Sequence, residues 1–411
     1  MNLRTTASAL AALATVLCAT ATATAAAAAP ASAETATATR ATAAPPTARD
    51  LLDVSCVTAK NCLAVGEDQN GFKGAGGPLA ERWNGTTWRT IAVKLPAGAT
   101  GGALIRISCA RATHCVAVGF YDKGSGNQFA LADTWNGSTW TPAQPPAPGG
   151  QNTALTGVSC KSVTSCVAVG MFTKNTSGGS AGSLLGEALK GGKWTQSRPP
   201  VPAGTVLSGL DGVSCTSTTS CIATGTVLTN TSSAALIESW NGKAWTRMKA
   251  PTLPAATFGE LITVSCPSAK SCVAVGDQSS SKGLSSLTEV WDGKSWVVKP
   301  VTWPKGTSNE LLSGVSCAAV NRCVAGGTID SNLQAASNTG KAAAVTWNGK
   351  VWAVTSVPAP GKGKASSFEG MTCLSTANCV AVGQLGPSGS TNGTGLSGFW
   401  NGKSWRLITA R

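Results

Sequence analysis

Read for its apolar and polar positions, the chain repeats one pattern seven times between residues 51 and 411, at intervals of 51–56 residues. Leu261-Ile-Thr-Val-Ser-Cys266 has the composition of a strand, Pro267 to Ser271 that of a turn, and Cys272-Val-Ala-Val-Gly276 that of a second strand, apolar without alternation. A second hairpin follows in each repeat. Trp83-Asn-Gly-Thr-Thr-Trp88 in the first and Trp400-Asn-Gly-Lys-Ser-Trp405 in the last place a tight-turn dipeptide between two tryptophans. Asn-Gly or Asp-Gly supplies the positive-φ positions of such a turn, and the flanking Trp residues are expected to face one another across the two strands. The third repeat has Leu189 where the others have the first tryptophan. Matches to N-x-[ST], such as Asn84-Gly-Thr86, are read as turns rather than glycosylation sites.

One unit is therefore four strands, and a lone four-stranded sheet cannot bury both faces. Seven stacked around an axis can. The expected fold is all-β: a seven-bladed β-propeller with one four-stranded antiparallel blade per repeat. The Cys-Val-Ala-Val-Gly strand is expected to be an inner one, packed near the axis. First and last repeats are both complete, which favours a ring over an open solenoid.

Cysteine usage sharpens this reading. Apart from Cys18, the fourteen cysteines fall in seven C-x5-C pairs: Cys56/Cys62, Cys109/Cys115, Cys160/Cys166, Cys215/Cys221, Cys266/Cys272, Cys317/Cys323 and Cys373/Cys379. A five-residue turn brings each pair side by side across a ladder, so one disulfide per blade is expected. Two thiols without His or carboxylate partners would leave zinc under-coordinated. No cofactor or metal is expected.

The N-terminus is of another kind. Met1 to Arg4 is short and basic, Ala7 to Ala29 is apolar or small, and Ala31-Ser32-Ala33 is an A-x-A cleavage site. Residues 1–33 are read as a signal peptide cleaved near Ala33, residues 34–50 as a disordered Ala/Thr/Pro lead-in, and 51–411 as the propeller. The product is expected to be secreted and monomeric, with no stable membrane insertion after cleavage. The formal charge is +14. Its basic residues are scattered singly along the sequence, and an exported protein rarely meets DNA, so nucleic acid is not the expected partner. Carbohydrate, an anionic envelope polymer or another protein is.

With these residues in hand, the repeat resembles the kelch and galactose-oxidase type of β-propeller. Cys-Val-Ala-Val-Gly resembles the glycine-ended apolar strand of a kelch repeat, and Trp-Asn-Gly-x-x-Trp the aromatic segment that follows it. Only in the sixth repeat does this apolar run end in a double glycine, Gly326-Gly327, and kelch repeats lack the cysteine pair. The hairpin is also similar to the Asp-box of sialidases. The whole unit is similar to Ser-Cys…Cys-Val-Ala-Val-Gly…Trp-Asn-Gly repeats of exported actinobacterial proteins. The resemblance implies the propeller fold and no activity.

Length variation gives the functional expectation. The segment from the strand-ending Gly to the first aromatic varies from 15 to 20 residues, while the other spacings hold almost constant. In a four-stranded blade this connection shares a face with the links between blades, and the disulfide and Asn-Gly turns share the opposite face. Variable loops on a rigid scaffold are where binding concentrates. The largest are Met171 to Leu184 and Thr328 to Lys341. Candidate contact residues are Phe72, Phe120, Tyr121, Lys123, Phe172, Lys174 and, from an inter-blade link, Trp303. Aromatics beside Lys can stack on sugars and pair with acidic groups. The alternative is that they pack their own loops.

Little catalytic equipment is present. One histidine, His114, and one tyrosine, Tyr121, are too few for a galactose-oxidase copper centre, and His114 falls in a disulfide turn. Five repeats carry an acid two residues before the first aromatic position (Glu81, Asp133, Glu187, Glu238 and Glu289), a periodicity that suggests a structural role, accepting hydrogen bonds from a neighbouring strand. The non-repeated acids Glu67, Asp68, Asp122, Asp277 and Asp330 lie in the variable connections, where a pair across the axis would permit a carboxylate-dependent glycosidase or polysaccharide lyase. A non-enzymatic binding module or scaffold is the primary expectation.

Overall fold

The computed structural model describes residues 49–409 except 69–75, 125–126, 147–151, 177–178, 231, 254–255, 281–282, 331–338 and 389–392. Seven four-stranded antiparallel sheets, each formed by consecutive strands, are arranged as seven blades. Blade 1 consists of β1 (Arg49–Thr58), β2 (Asn61–Asp68), β3 (Gly77–Trp83) and β4 (Trp88–Thr90). Thus β1 takes in Arg49 and Asp50, which the sequence reading gave to the lead-in.

The strand next to the axis is the first of each blade. Asp53, Arg106, Gly157, Gly212, Thr263, Gly314 and Gly370, from the first strands of blades 1 to 7, together line one axial channel of about 160 Å³. The Cys-Val-Ala-Val-Gly strand is therefore second from the axis, not the innermost. It is apolar throughout because blades cover both of its sides: Val380 and Val382 of blade 7 pack with Cys62, Ala64, Leu79 and Trp83 of blade 1.

Every first strand carries a bulge at the same place, as between Leu51 and Asp53 or Leu261 and Thr263. An extra residue bends the strand and re-aims its side chain. The bulge explains the recurring glycine, which lies within each second strand and not at its end. A Cβ on Gly66 would run into the carbonyl oxygen of Asp50, and one on Gly276 into that of Glu260.

All seven expected disulfides are formed: Cys56–Cys62, Cys109–Cys115, Cys160–Cys166, Cys215–Cys221, Cys266–Cys272, Cys317–Cys323 and Cys373–Cys379, with Cα atoms 3.9–4.0 Å apart. Each closes a short loop, which the chain-entropy model values at about 2 kcal/mol. The second cysteine of each pair starts the apolar strand and is buried, so these sulfurs belong to the seams between blades. Its register partner on the third strand is the first aromatic position of the repeat. Cys115 faces Trp135, Cys221 faces Trp240, Cys323 faces Trp347 and Cys379 faces Trp400, while Cys166 faces Leu189 in the one repeat that departs. The disulfide and the tryptophan hairpin thus sit side by side on one sheet, a link that the sequence spacing did not reveal.

The tryptophans meet as expected: Trp240 pairs with Trp245 in register, ring centroids 5.2 Å apart. In the turn between them, Asn241 Oδ1 accepts the N–H groups of Lys243 and Ala244, both at 2.9 Å, and Gly242 takes φ +89°. Asn84 does the same with Thr86 and Thr87.

The residue before each first cysteine joins neighbouring blades. Ser55 Oγ accepts the Cys109 N–H at 3.1 Å, Ser108 that of Cys160 and Ser159 that of Cys215. Ser214, Ser265 and Ser316 likewise accept from Cys266, Cys317 and Cys373. One hydroxyl thus carries each of six successive junctions, and blade 7 has Thr372 at this position. The ring closes between blades 7 and 1 without exchange of a strand. Arg49 N donates to Gly393 O, Trp88 Nε1 donates to Ser397 Oγ at 3.0 Å, and Trp83 packs on Phe399 with centroids 4.8 Å apart.

Candidate functional site

The strand directions put the second-to-third-strand connections and the inter-blade links on one face, the disulfide and Asn-Gly turns on the other. On the variable face, the segment 171–184 is not a loop. It extends the blade-3 hairpin, paired from Met171↔Leu184 out to Thr176↔Gly179. Much of the other long connection, 331–338, lies outside the described residues, as does Phe72.

The candidate contact residues are not gathered into one site. Tyr121 is 2% exposed, stacked on Phe129 at 5.3 Å within the core between blades 1 and 2. It offers no ring face to a ligand, and burial raises its phenol pKa. Exposed Lys123 lies over Tyr121 and Phe129, its Nζ 5.3 Å from the Phe129 centroid. Phe120 packs against Ala154 and Met171, and Phe172 against the core between blades 2 and 3. Lys174 belongs to the extended hairpin. Trp303 packs on the blade 5–6 core and donates Nε1 to Ser286 Oγ at 3.0 Å. Phe120, Tyr121, Phe172 and Trp303 thus pack their own loops and seams. The second cysteines of the disulfides, Cys62, Cys115, Cys166, Cys221, Cys272, Cys323 and Cys379, are at most 3% exposed.

The same face holds a cleft that the sequence did not announce. About 590 Å³ in volume, it lies between blades 4 and 5. Its walls are Ser232 to Ala235 at the start of a third strand, Arg247 to Leu253 in the inter-blade link, and Phe258 of the next blade's first strand. Arg247 and Lys249 are exposed beside half-buried Met248 and Phe258. The cleft combines cationic, apolar and aromatic groups. Arg247 and Lys249 come from an unremarkable stretch that the stacking of blade 5 on blade 4 brings beside Phe258.

The carboxylates divide into three groups. Asp68 is paired with Arg49 at 3.1 Å and Asp330 with Lys341 at 3.4 Å, while Asp122 accepts from Thr100 Oγ1 and from Gly124 N at 3.1 Å. These acids hold loops. A second group surrounds the variable-face end of the channel. Asp50 faces Glu67 in register and Glu260 faces Asp277, while the bulge residues Asp211 and Glu369 add two more. Burial first, then like charge from Glu67 and Glu369, pushes Asp50 up to about 7. Burial and Glu260 push Asp277 to about 8, and burial raises Asp211 and Glu369. The Arg106 guanidinium opposes burial at Asp53, Asp211 and Glu369, and donates to Leu52 O of the adjoining first strand. Of the acids expected near the axis, then, Glu67 and Asp277 reach this cluster, whereas Asp68, Asp122 and Asp330 make the loop contacts above.

The third group is the repeated acid. Glu81, Asp133, Glu187, Glu238 and Glu289 are at most 2% exposed. They lie in the seams, on the side of the third strand that faces the preceding blade. A hydrogen-bonding role is not what the structure shows: both carboxyl oxygens of Asp133, Glu187, Glu238 and Glu289 lack a partner. Desolvation holds these acids at about 7 to 8, so they are neutral carboxylic acids over much of the pH range.

The turn face carries part of the basic complement, while Lys94, Lys123, Lys249, Lys305, Lys362 and Lys364 are exposed elsewhere. The disulfide turns present Lys60, Arg111, Lys161, Lys270 and Arg322, and the second turns of blades 3 to 7 present Lys193, Lys243, Lys294, Lys350 and Lys403, all exposed. The one carboxylate among these turns is Asp292, which accepts the N–H groups of Lys294 and Ser295. Among the described residues, no group of three or more His, Cys, Asp or Glu is placed to hold a metal ion. No described helix is long and apolar enough to cross a membrane.

No family model matches the chain, and no curated protein matches it. Solved structures similar to it include a polysaccharide lyase of family PL25, an ulvan lyase bound to -[GlcA(1-4)Rha3S]-, at 10% identity and TM-score 0.50, covering 88% of this chain and 96% of that one. Others are YCF48 bound to a D1 peptide, at 14% identity, TM-score 0.48 and 84% and 91% coverage, and the SapL1 lectin with α-methyl fucoside, at 11%, 0.41, 89% and 97%. At such identities the likeness is one of fold. The chain is a β-propeller. Its seven disulfides suit an oxidising environment.

Proposed function

We propose that the protein is an exported, non-enzymatic binding module that takes an acidic carbohydrate or envelope polymer on its variable-loop face. The observation that carries this reading is the cleft between blades 4 and 5, where Arg247 and Lys249 flank Met248 and Phe258. Sugar rings present apolar faces that pack on such side chains, and uronate or phosphate groups pair with the cations. The apparent signal segment and the seven disulfides support export. The structure gives the lyase alternative no support at Asp122, which caps its loop. That the polysaccharide lyase and the lectin bind carbohydrate fits the proposal without adding to it, since the likeness is one of fold.

Retention on immobilised acidic and neutral polysaccharides tests the reading. The expected result is retention on an acidic polymer, without release of reducing ends, that is lost on Arg247→Gln with Lys249→Gln. Retention unchanged by that double substitution would overturn it.

A further inference from the structure

We propose that the turn face is a second docking surface, independent of the cleft, which adsorbs the protein flat onto an anionic lipid bilayer. Three observations lead there.

The first is the distribution of charge. Second turns carry lysine at one equivalent position in four consecutive blades, Lys243, Lys294, Lys350 and Lys403, and one position later in blade 3, Lys193. In blades 4 to 7 each projects from a turn whose Asn or Asp side chain is already used to hold its backbone. The lysines are therefore not needed to form the turn. Cations of the disulfide turns extend the array, so every blade presents at least one. Acids are excluded from this face: Asp292 alone stands among the turns, whereas the seam acids are buried and the axial acids lie towards the other face.

The second is shape. Both turn types hold almost constant length through the seven repeats, so the face has no long protrusion. The cleft between blades 4 and 5 opens on the opposite side. A flat array of point charges on flexible stems matches a planar anionic surface better than it matches one extended chain, which calls for a groove.

The third is chemistry. The tryptophans that flank the second turns are mostly turned into the blades, Trp240 at 5% exposure and Trp347 at 3%, so no described tryptophan, tyrosine or phenylalanine stands at a turn tip to stack on bases. What remains is long-range attraction, to which each lysine near an anionic leaflet adds independently.

Sedimentation of the full chain with vesicles tests this. Binding to phosphatidylglycerol mixed with phosphatidylcholine is expected to exceed binding to phosphatidylcholine alone and to fall steeply with added salt. Each of Lys243→Gln, Lys294→Gln and Lys350→Gln should lower partitioning about fivefold. These residues are exposed, so the thermal midpoint and retention on the acidic polysaccharide should not change. No excess on the anionic vesicles overturns the proposal. So does excess binding that survives the triple substitution or high salt, and so does capture of soluble polyphosphate or DNA without capture of vesicles.

Discussion

At the scale of single residues, the repeat is held by positions whose identity follows from backbone geometry. Gly276 has no room for a Cβ because the bulge opposite drives the Glu260 carbonyl towards it. Gly276→Ala is expected to cost about 2 kcal/mol or more, as overpacking does, read from the urea midpoint; a loss within measurement error would refute the close approach. Ser214 gives its Oγ to the Cys266 N–H of the next blade at 3.0 Å. Ser214→Ala should cost about 1–2 kcal/mol, because a part-buried N–H loses its acceptor, while Ser214→Thr should retain most of the stability. Both positions were visible in the sequence as recurring residues of the repeat. Their causes were not, since each lies on another strand.

At the scale of strands and turns, the strand-like and apolar runs, the Asn-Gly dipeptides and the cysteine spacing were enough to specify the four-stranded blade, its turns and its disulfide. Each is a local signal repeated seven times. What escaped was long-range. The order of strands from the axis is set by closure of the ring, so the Cys-Val-Ala-Val-Gly strand was placed one layer too far in. The extension at 171–184 looked like a loop because its glycines and serines give no strand signal, yet it pairs to its tip. Tyr121 looked available in a linear reading, but it is buried against Phe129, and Trp303 is half-buried with its Nε1 donating to Ser286 Oγ. The cleft could not be seen at all. A hairpin prediction follows: replacing Cys266 and Cys272 together by serine should lower stability by about 2 kcal/mol, measured against urea, without loss of β signal in circular dichroism.

At the scale of the whole molecule, the seam acids tie stability to pH. Glu289 is raised from 4.5 to about 8 by burial, so between those values the folded chain holds a proton that the unfolded chain has released. The Glu289 contribution to stability is then fully present below about pH 4, falls progressively as pH rises to about 8, and levels off above. Melting should show a higher midpoint at acidic pH than at about pH 9, and Glu289→Gln should narrow that difference. A midpoint that rises with pH would show that the acids ionise in place.

Closure without a shared strand has a further consequence. Each blade is one continuous stretch of chain, and six junctions use the same hydroxyl, so the order of blades is not encoded in how they join. Termini moved from the junction of blades 7 and 1 to a link such as that between blades 3 and 4 should yield a protein with the same disulfides and cleft. A gene begun at another blade should therefore need no redesigned partner strand.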